Sequence, residues 1–271
     1  MDYKEQLSAY TQGNLRKCQL KQLAILKEID CLCKKHNISY WLDSGTLLGA
    51  VRHQGFIPWD DDIDIAMGYD DMKRFEQVAK SDLPKWLFLQ SPDTDPYLKE
   101  PMVKIRDTNS LYIELGDNFQ FDYVKSIFVD IFPFVDHPDI PRAWTHRLCR
   151  GICKSYSILH KQHYYSVRAV AEFFWFSGKY LLYQAAWKVL CLLYKSTRYA
   201  NLPRMNGYGI THQRDTVLPL STIKFEDSEF PAPQNPDQYL RDIYGNYMEI
   251  PPKEKRHFHA VCIIPELAEP R

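Results

Sequence analysis

The chain lacks a surplus of either charge and lacks a disulfide pattern. Its 271 residues include 34 Lys and Arg against 34 Asp and Glu, so the formal net charge is zero, and we expect no nucleic acid among its partners. The seven cysteines are an odd number without regular spacing. Such cysteine usage is typical of a reduced intracellular protein rather than of a disulfide scaffold.

From the sequence we also expect neither a targeting segment nor a membrane-spanning segment. The N-terminus is polar and charged, with the sequence MDYKEQ, so we expect no secretory signal peptide and a cytoplasmic location. The most apolar stretch, residues 173–194, is interrupted by Lys179, Gln184 and Lys188. Because a lysine in the middle of a span costs about 2.5–3.5 kcal/mol, this stretch does not read as a membrane-spanning helix.

Acidic residues are scarce in one part of the chain. Between Ile140 and Ala200 ten Lys and Arg accompany a single acid, Glu172, and Tyr, Phe and Trp are frequent. This composition favours helices, and it predicts a basic aromatic insertion at 141–200 within a domain formed by 1–140 and 201–271. The insertion is either a helix lying among lipid headgroups or a cap on the core with its lysines in water.

Four carboxylates lie within five positions at 60–64. Side chains alternate along a strand, so Asp60, Asp62 and Asp64 are expected on one face, with Ile63 and Ile65 on the other. A solvated loop would also tolerate such acids, but it would not need the interleaved apolar residues. Several like charges on one face repel unless a cation neutralises them, and carboxylate oxygens suit Mg²⁺ or Mn²⁺.

A small-residue turn is predicted at Ser44-Gly45-Thr46, shortly before these acids. Glycine lets backbone N–H groups approach a phosphate closely. The turn and the acidic strand together indicate a site for metal-dependent phosphoryl or nucleotidyl transfer.

The run from Leu42 to Ile65, LDSGTLLGAVRHQGFIPWDDDIDI, closely resembles the signature of the LicD family of phospho-alcohol transferases, which is related to fukutin and fukutin-related protein. Residues 126–133 look like that family's second acidic strand, and 239–248 with 251–259 look like its C-terminal signature. The resemblance implies an α/β fold, with a nucleotidyltransferase-like mixed sheet, flanking helices and a helical insertion.

The resemblance also implies roles for individual residues. The metal would be held by Asp62 and Asp64, with Asp130 completing the site. Asp60 would be either a third ligand or a carboxylate that supports the ligands without touching the metal. Asp62, Asp64 and Asp130 form the predicted catalytic set. A buried Asp130 would need a partner for its charge, and the alternative is a surface position on an edge strand. The residues predicted to bind the donor are Gly45, Thr46, Arg52, Lys104, Arg106 and His257, although the cations among them also read as ordinary surface residues.

The function predicted from these features is a membrane-associated phosphotransferase. It would move phosphocholine, or a related phospho-alcohol, from CDP-choline or another CDP-alcohol to a hydroxyl of a glycan or lipid-linked glycan, releasing CMP. One alternative is a glycosyltransferase, because Asp-x-Asp with a divalent metal also binds nucleotide-sugar diphosphates. The other is a non-catalytic glycan- or lipid-binding protein that keeps the fold.

Overall fold

The computed structural model describes residues 2–98, 100–117, 119, 123–160, 166–256 and 258–267. The chain forms two compact units. Unit 1 comprises Met1–Phe132 and Leu220–Arg271, and unit 2 comprises Pro133–Pro219. The domain limits predicted above, at 140/141 and 200/201, stay a prediction.

Helices and a curled mixed sheet confirm the predicted α/β class. The helices are α1 (Tyr3–His36), α2 (Ser44–His53), α3 (Tyr69–Asp82), α4 (Arg142–Leu159), α5 (Val167–Leu193), α6 (Arg214–Val217) and α7 (Pro236–Tyr244), and a short 3₁₀ helix spans Lys253–Lys255. The strands are β1 (Trp41–Leu42), β2 (Asp64–Gly68), β3 (Leu87–Gln90), β4 (Val103–Asp107), β5 (Leu111–Glu114), β6 (Phe128–His137), β7 (Arg198–Asn201), β8 (His212–Gln213), β9 (Ser221–Phe225), β10 (Ser228–Ala232) and β11 (Ala260–Ile264).

The sheet of unit 1 has the strand order β1-β2-β6-β4-β3. The pairs β1–β2, β4–β6 and β3–β4 are antiparallel, and the β4–β6 register places Lys104 opposite Asp130. A second antiparallel pair joins β11 to β5, so that the C-terminal segment returns beside the early part of the chain. The sheet therefore brings β2 next to β6, the two strands in which the sequence predicts acidic residues.

From the sequence alone, Asn14 can cap a helix that runs to about Lys35, with an apolar stripe that Gln22 interrupts. The predicted start is wrong, because α1 extends back to Tyr3. Its start is stabilised locally, since the Asp2 backbone N–H donates to Glu5 Oε2 at 3.2 Å. The apolar stripe is buried from Cys18 to Leu32, whereas Leu15 is partly exposed, and Gln22 is also buried. The first helix is thus longer than its apolar spacing indicates, and its polar interruption requires a hydrogen-bond partner.

Two local predictions around the signature are also corrected. Ser44-Gly45-Thr46 is not a separate turn but the first turn of α2, and β2 begins at Asp64 rather than at Asp60. Residues 60–63 are irregular. The reason is that this segment hydrogen-bonds to side chains of α1 in place of a neighbouring strand, as described below.

Unit 2 is built around the two helices α4 and α5. Its core contains Ile140, Cys149, Ile152 and Trp187, and β7 pairs with the last four residues of β6. The predicted helical character of this region is confirmed. None of the helices in the described part of the chain has the length and apolarity to cross a membrane.

Candidate active site

Helix α1 holds the backbone of the acidic segment. The amide of Gln19 donates to the carbonyl of Asp60 at 2.9 Å, and the amide of Gln22 donates to the carbonyl of Asp61 at 2.8 Å. These bonds satisfy backbone oxygens that a strand partner would otherwise take. Two neutral glutamines therefore fix the course of the segment and leave the carboxylates free to face elsewhere.

Asp61 faces the protein interior and is fully enclosed by donors. Its side chain is 0% exposed, and it accepts hydrogen bonds from Tyr112 Oη at 2.9 Å, Ala260 N at 2.7 Å and His259 N at 3.0 Å. Burial opposes ionisation, but the hydrogen bonds from His259, Ala260 and Tyr112 hold the pKa of Asp61 below its usual range. Asp61 is an anchor that ties the start of β11 to the acidic segment.

Asp60, Asp62 and Asp64 form a second group with the opposite electrostatics. Burial, followed by repulsion from Asp62 and Asp61, raises the pKa of Asp60 to about 8. Burial also raises the pKa of Asp62 to about 6, against the favourable charge of His259. The pKa of Asp64 is well above its usual range because it is buried and faces Asp62, Asp130, Asp43 and Asp60. These carboxylates are crowded together with too little positive charge to neutralise them.

The N-terminus of α2 is tied to β2 beside these carboxylates. Asp43, which precedes the helix, donates its backbone N–H to Asp64 O at 3.0 Å, and Asp64 N donates to Thr46 Oγ1 at 2.8 Å. The buried Asp43 carboxylate accepts a hydrogen bond from Tyr239 Oη at 2.6 Å. Helix α7 carries Tyr239. It therefore supports the Asp43 side chain with a hydroxyl donor and adds no carboxylate to this contact.

Gly45 lies directly against the carboxylate of Asp60. A Cβ atom at position 45 would lie 2.9 Å from Asp60 Oδ2, closer than real Cβ contacts. Leu47 is already hydrogen-bonded to Asp43 O at 3.0 Å. The amides that precede it, those of Gly45 and Thr46, are the ones that a helix leaves for an anion at its N-terminus. The glycine thus keeps open the space between helix and carboxylates.

Asp130 is buried on β6 and paired with the facing lysine of β4. Lys104 Nζ lies 2.8 Å from Asp130 Oδ1 and 3.0 Å from Asp130 Oδ2, and it also lies 3.8 Å from the centroid of the Phe128 ring. This lysine is the partner that the burial of Asp130 requires. Asp130 N donates to Ile63 O at 2.9 Å, which holds β6 against the acidic segment.

The two predicted donor-binding arginines have different surroundings. Arg106 is 5% exposed and donates to Gln90 Oε1 at 2.5 Å and Ser126 O at 2.6 Å. Arg52 is half-buried and donates to Tyr247 O at 2.8 Å. Burial lowers the pKa of Arg52, whereas the charge of Asp60 raises it. Arg52 thus lies within reach of the carboxylate group, while the donors of Arg106 are used inside the protein.

His257 lies outside the described residues, and the structure draws attention to His259 instead. Its Nδ1 lies 3.1 Å from Asp61 Oδ1 and 3.8 Å from Asp62 Oδ2. The hydrogen bond to Asp61, followed by the charges of Asp62, Asp61 and Asp60, raises the pKa of His259 to about 9 against its partial burial. The sequence reasoning singled out His257 from the same cluster. Because residues two apart on a strand share a face, alternation in the sequence does not distinguish His259 from His257, and only the contact with Asp61 does.

The sequence reasoning also missed Tyr244, at the end of α7. Its partial burial and the charges of Asp64, Asp43, Asp60 and Asp62 raise its pKa, so the phenol stays protonated beside them. A neutral hydroxyl can donate a hydrogen bond where another carboxylate would add repulsion. Tyr244 is therefore a candidate contact for an anionic ligand.

The donor set fits a divalent metal ion. Asp60, Asp62 and Asp64 present carboxylate oxygens whose pKa values are raised by burial first and then by repulsion from neighbouring carboxylates. Mg²⁺ and Mn²⁺ prefer such oxygen ligands. One ligand atom from each of Asp61, Asp62 and His259 also lies within 4.8 Å of the others, a spacing at which a metal can bind. In that group the oxygens of Asp61 are occupied by donors, and His259 would have to lose a proton to coordinate.

Part of the chain is similar to a known protein family. Residues 37–149 match the nucleotidyltransferase domain described as LicD/FKTN/FKRP. The lipopolysaccharide cholinephosphotransferase LicD of Haemophilus influenzae is 28% identical over 270 residues, which cover 91% of this chain and 96% of that protein.

Two further relatives match over shorter lengths. An uncharacterized protein of Rickettsia typhi is 47% identical over 130 residues, 46% of this chain and 36% of that protein. The human ribitol 5-phosphate transferase FKRP is 31% identical over 99 residues, 36% of this chain and 17% of that protein. The resemblance read from the signature is confirmed, as is the prediction of an enzyme of the transferase class, because residues 37–149 match the LicD/FKTN/FKRP model and two named relatives are transferases.

Proposed function

We propose that this protein transfers a phospho-alcohol, with phosphocholine the first candidate, from a CDP-linked donor to a hydroxyl of a cell-surface glycan precursor. The observation that carries the proposal is the group of carboxylates at Asp60, Asp62 and Asp64, next to Asp130 and the N-terminus of α2. The names of two relatives support the cargo, since one is a cholinephosphotransferase and the other a ribitol 5-phosphate transferase. We further propose that the transfer takes place at the cytoplasmic face of the membrane, on a lipid-linked glycan.

The carboxylates of Asp60, Asp62, Asp64 and Asp130 would hold Mg²⁺ or Mn²⁺ in this reaction. The ion would supply charge that neutralises both the carboxylates and the diphosphate of the donor. Gly45 and Thr46 would offer backbone N–H groups to a phosphate oxygen. Arg52 lies on the side of Asp60. Its guanidinium could there bind two oxygens of a phosphate through two N–H groups.

The transfer itself needs one bond to form and one to break. The oxygen of the acceptor hydroxyl attacks the phosphorus that carries the alcohol, and the bond between that phosphorus and the oxygen of CMP breaks. The proton of the hydroxyl passes to Asp130, whose carboxylate is oriented by Lys104. CMP leaves with the bridging oxygen. Phosphoryl transfer depends mainly on such positioning and charge stabilisation.

The test is CMP release by the purified protein with Mg²⁺ or Mn²⁺, with and without EDTA. CDP-choline, CDP-ribitol, CDP-glycerol and UDP-glucose are offered in parallel, and donor binding is measured by calorimetry because turnover can require the acceptor. Asp62→Asn is the test variant, and Asp93→Asn, at an exposed acid outside the site, is its matched control.

Metal-dependent CMP release or binding with one CDP-alcohol, lost in Asp62→Asn and kept in Asp93→Asn, is the expected result. Turnover of UDP-glucose without any response to CDP-alcohols would assign the protein to the glycosyltransferases. A lack of binding to every nucleotide donor would indicate a non-catalytic protein that keeps the fold.

A further inference from the structure

Helix α5 carries a long apolar surface that no other part of the described chain covers. Trp187 is its single buried residue, in a helix of 27 residues. Trp187, Tyr180, Tyr183 and Leu190 pack on the core that α5 shares with α4. The rest of the helix surface faces solvent, although much of it is apolar.

The exposed side has the spacing of one helix face. Phe174 is 69% exposed, Leu181 and Leu182 are 68% exposed, and Leu192 is 86% exposed. Together with Val170 and Val189 they recur at intervals that place them on one side of the helix, opposite Trp187. We call these six residues the α5 stripe. Lys188, five helical turns after Val170, lies at the edge of this side. An exposed apolar surface of this size marks a contact with a membrane or another molecule.

A cationic cleft lies between α4 and α5. Its volume is about 310 Å³, and its lining includes Arg147, Arg150 and Lys154 from α4 with Lys179 from α5. Lys179 Nζ also lies 4.9 Å from the centroid of the Trp175 ring, an exposed aromatic residue at the edge of the stripe. The cleft and the apolar surface therefore adjoin through Lys179.

These four cations have no carboxylate partner among the residues that the structure describes. The nearby acids are used by other arginines, since Glu172 pairs with Arg168, Asp139 with Arg198 and Asp136 with Arg214. Over Pro133–Pro219 there are twelve Lys and Arg against four Asp and Glu, a formal charge of +8. Two copies of such a surface would repel each other, whereas an anionic surface would be attracted.

We propose that the α5 stripe and the adjoining cleft form a docking surface for a bilayer that contains anionic phospholipids. The stripe would lie among the upper acyl chains with Trp175 at the headgroup level, and the cleft would hold a headgroup phosphate between its arginines and lysines. This inference rests on the proposed function only in placing the enzyme beside a lipid-linked acceptor.

The experiment measures co-sedimentation of the full-length protein with vesicles of phosphatidylcholine alone and of phosphatidylcholine with phosphatidylglycerol. The stripe variant is Phe174→Gln, Leu181→Gln and Leu192→Gln. Its matched control replaces three exposed apolar residues outside the stripe, Tyr3, Leu115 and Tyr208, by Gln. A third variant, Arg147→Gln, Arg150→Gln and Lys154→Gln, removes the cleft cations.

We expect wild type and the matched control to bind the anionic vesicles, and the stripe variant to bind at least tenfold more weakly. The cleft variant should lose the preference for phosphatidylglycerol. Circular dichroism checks the fold, and the single change Leu192→Gln, expected to weaken binding by a smaller factor, replaces the triple variant should that one unfold.

Equal binding by wild type and the folded stripe variant, or no binding by wild type, would overturn the inference. A dimer of the wild-type protein that the stripe variant dissociates would show that a second copy covers the stripe, and would overturn it as well. CDP-choline binding by the stripe variant, measured by calorimetry, separates this outcome from a failure of the proposed function, because the substitutions lie outside the carboxylate site.

Discussion

The two sides of the acidic segment contain the same functional group in opposite environments. On the inner side, the Asp61 carboxylate receives hydrogen bonds from Tyr112, His259 and Ala260. On the outer side, the carboxylates of Asp60, Asp62 and Asp64 face one another. The difference teaches that a run of aspartates is not one site: alternate positions serve stability and chemistry, and they respond to the same substitution in different ways.

The largest effect is expected from substitutions on the outer side. Asp62→Asn or Asp64→Asn should lower CMP release by about a thousandfold or more, because each removes a carboxylate from the set that binds the metal ion. The free energy of unfolding without metal should stay equal or rise, since repulsion within the group is relieved. Steady-state turnover and urea denaturation measure the two quantities. Near-wild-type turnover in either variant would refute the proposed site.

Asp61→Asn should do the reverse and mainly reduce stability. Whichever way the amide turns, its NH₂ group would face donors, either Tyr112 Oη and the Ala260 N–H or the protonated His259 ring, and would leave them without an acceptor. We expect a loss of about 3 kcal/mol in the free energy of unfolding. Urea denaturation of Asp61→Asn and Asp62→Asn side by side is the measurement. An equally stable Asp61→Asn variant would remove the distinction between the two sides.

Tyr239→Phe tests whether the hydrogen bond to Asp43 also stabilises the carboxylate site. The change removes the donor to the buried Asp43 carboxylate, and we expect the free energy of unfolding to fall by about 2 kcal/mol, since bonds to charged groups are the stronger ones. Thermal or urea unfolding provides the value. Because Asp43 holds the backbone of Asp64, turnover should fall as well, and turnover equal to that of the wild type would argue against this positioning role.

The smallest effect is expected from a change at Gly45, next to the outer carboxylates. Gly45→Ala should lower turnover about tenfold, because the new methyl group would displace the Asp60 carboxylate. Gly13→Ala is the matched control, since a Cβ there meets nothing within 4 Å. It lies within α1 and should raise stability by up to about 1 kcal/mol without changing turnover. A Gly45→Ala enzyme as active as the control would show that the close approach has no functional part.

The separation of Asp61 from the other three aspartates was predictable from the sequence, because side chains alternate between two faces along an extended segment. Alternation placed Asp60, Asp62 and Asp64 together and Asp61 apart. The same argument was wrong in detail, because the regular strand begins only at Asp64. Residues 60–62 keep an alternating direction before the strand, since the side chains of Gln19 and Gln22 bind the carbonyls of Asp60 and Asp61 where a strand would otherwise do so.

The features that escaped sequence reasoning depend on contacts between distant parts of the chain. In the sequence Gln22 only interrupts the apolar stripe of α1. Its role depends on the hydrogen bond that it donates to the Asp61 carbonyl, which the sequence does not reveal. His259 and Tyr239 lie about 200 positions after the acidic segment, so no local pattern reveals that they approach Asp61 and Asp43. Lys104 was expected near the donor, and its ion pair with Asp130 follows from strand register, which one sequence does not specify.

The use of glutamines to hold the acidic segment has a consequence for ligand design. Neutral amides from α1 fix the backbone without contributing charge, so the negative charge of the carboxylates stays available to attract a cation. A donor analogue with its own ammonium groups at the spacing of the carboxylates would compete with the metal ion as well as with the nucleotide. Replacing the fully buried Gln22 by lysine would instead place a charge in the interior beside the Asp61 carbonyl, and it should destabilise the fold.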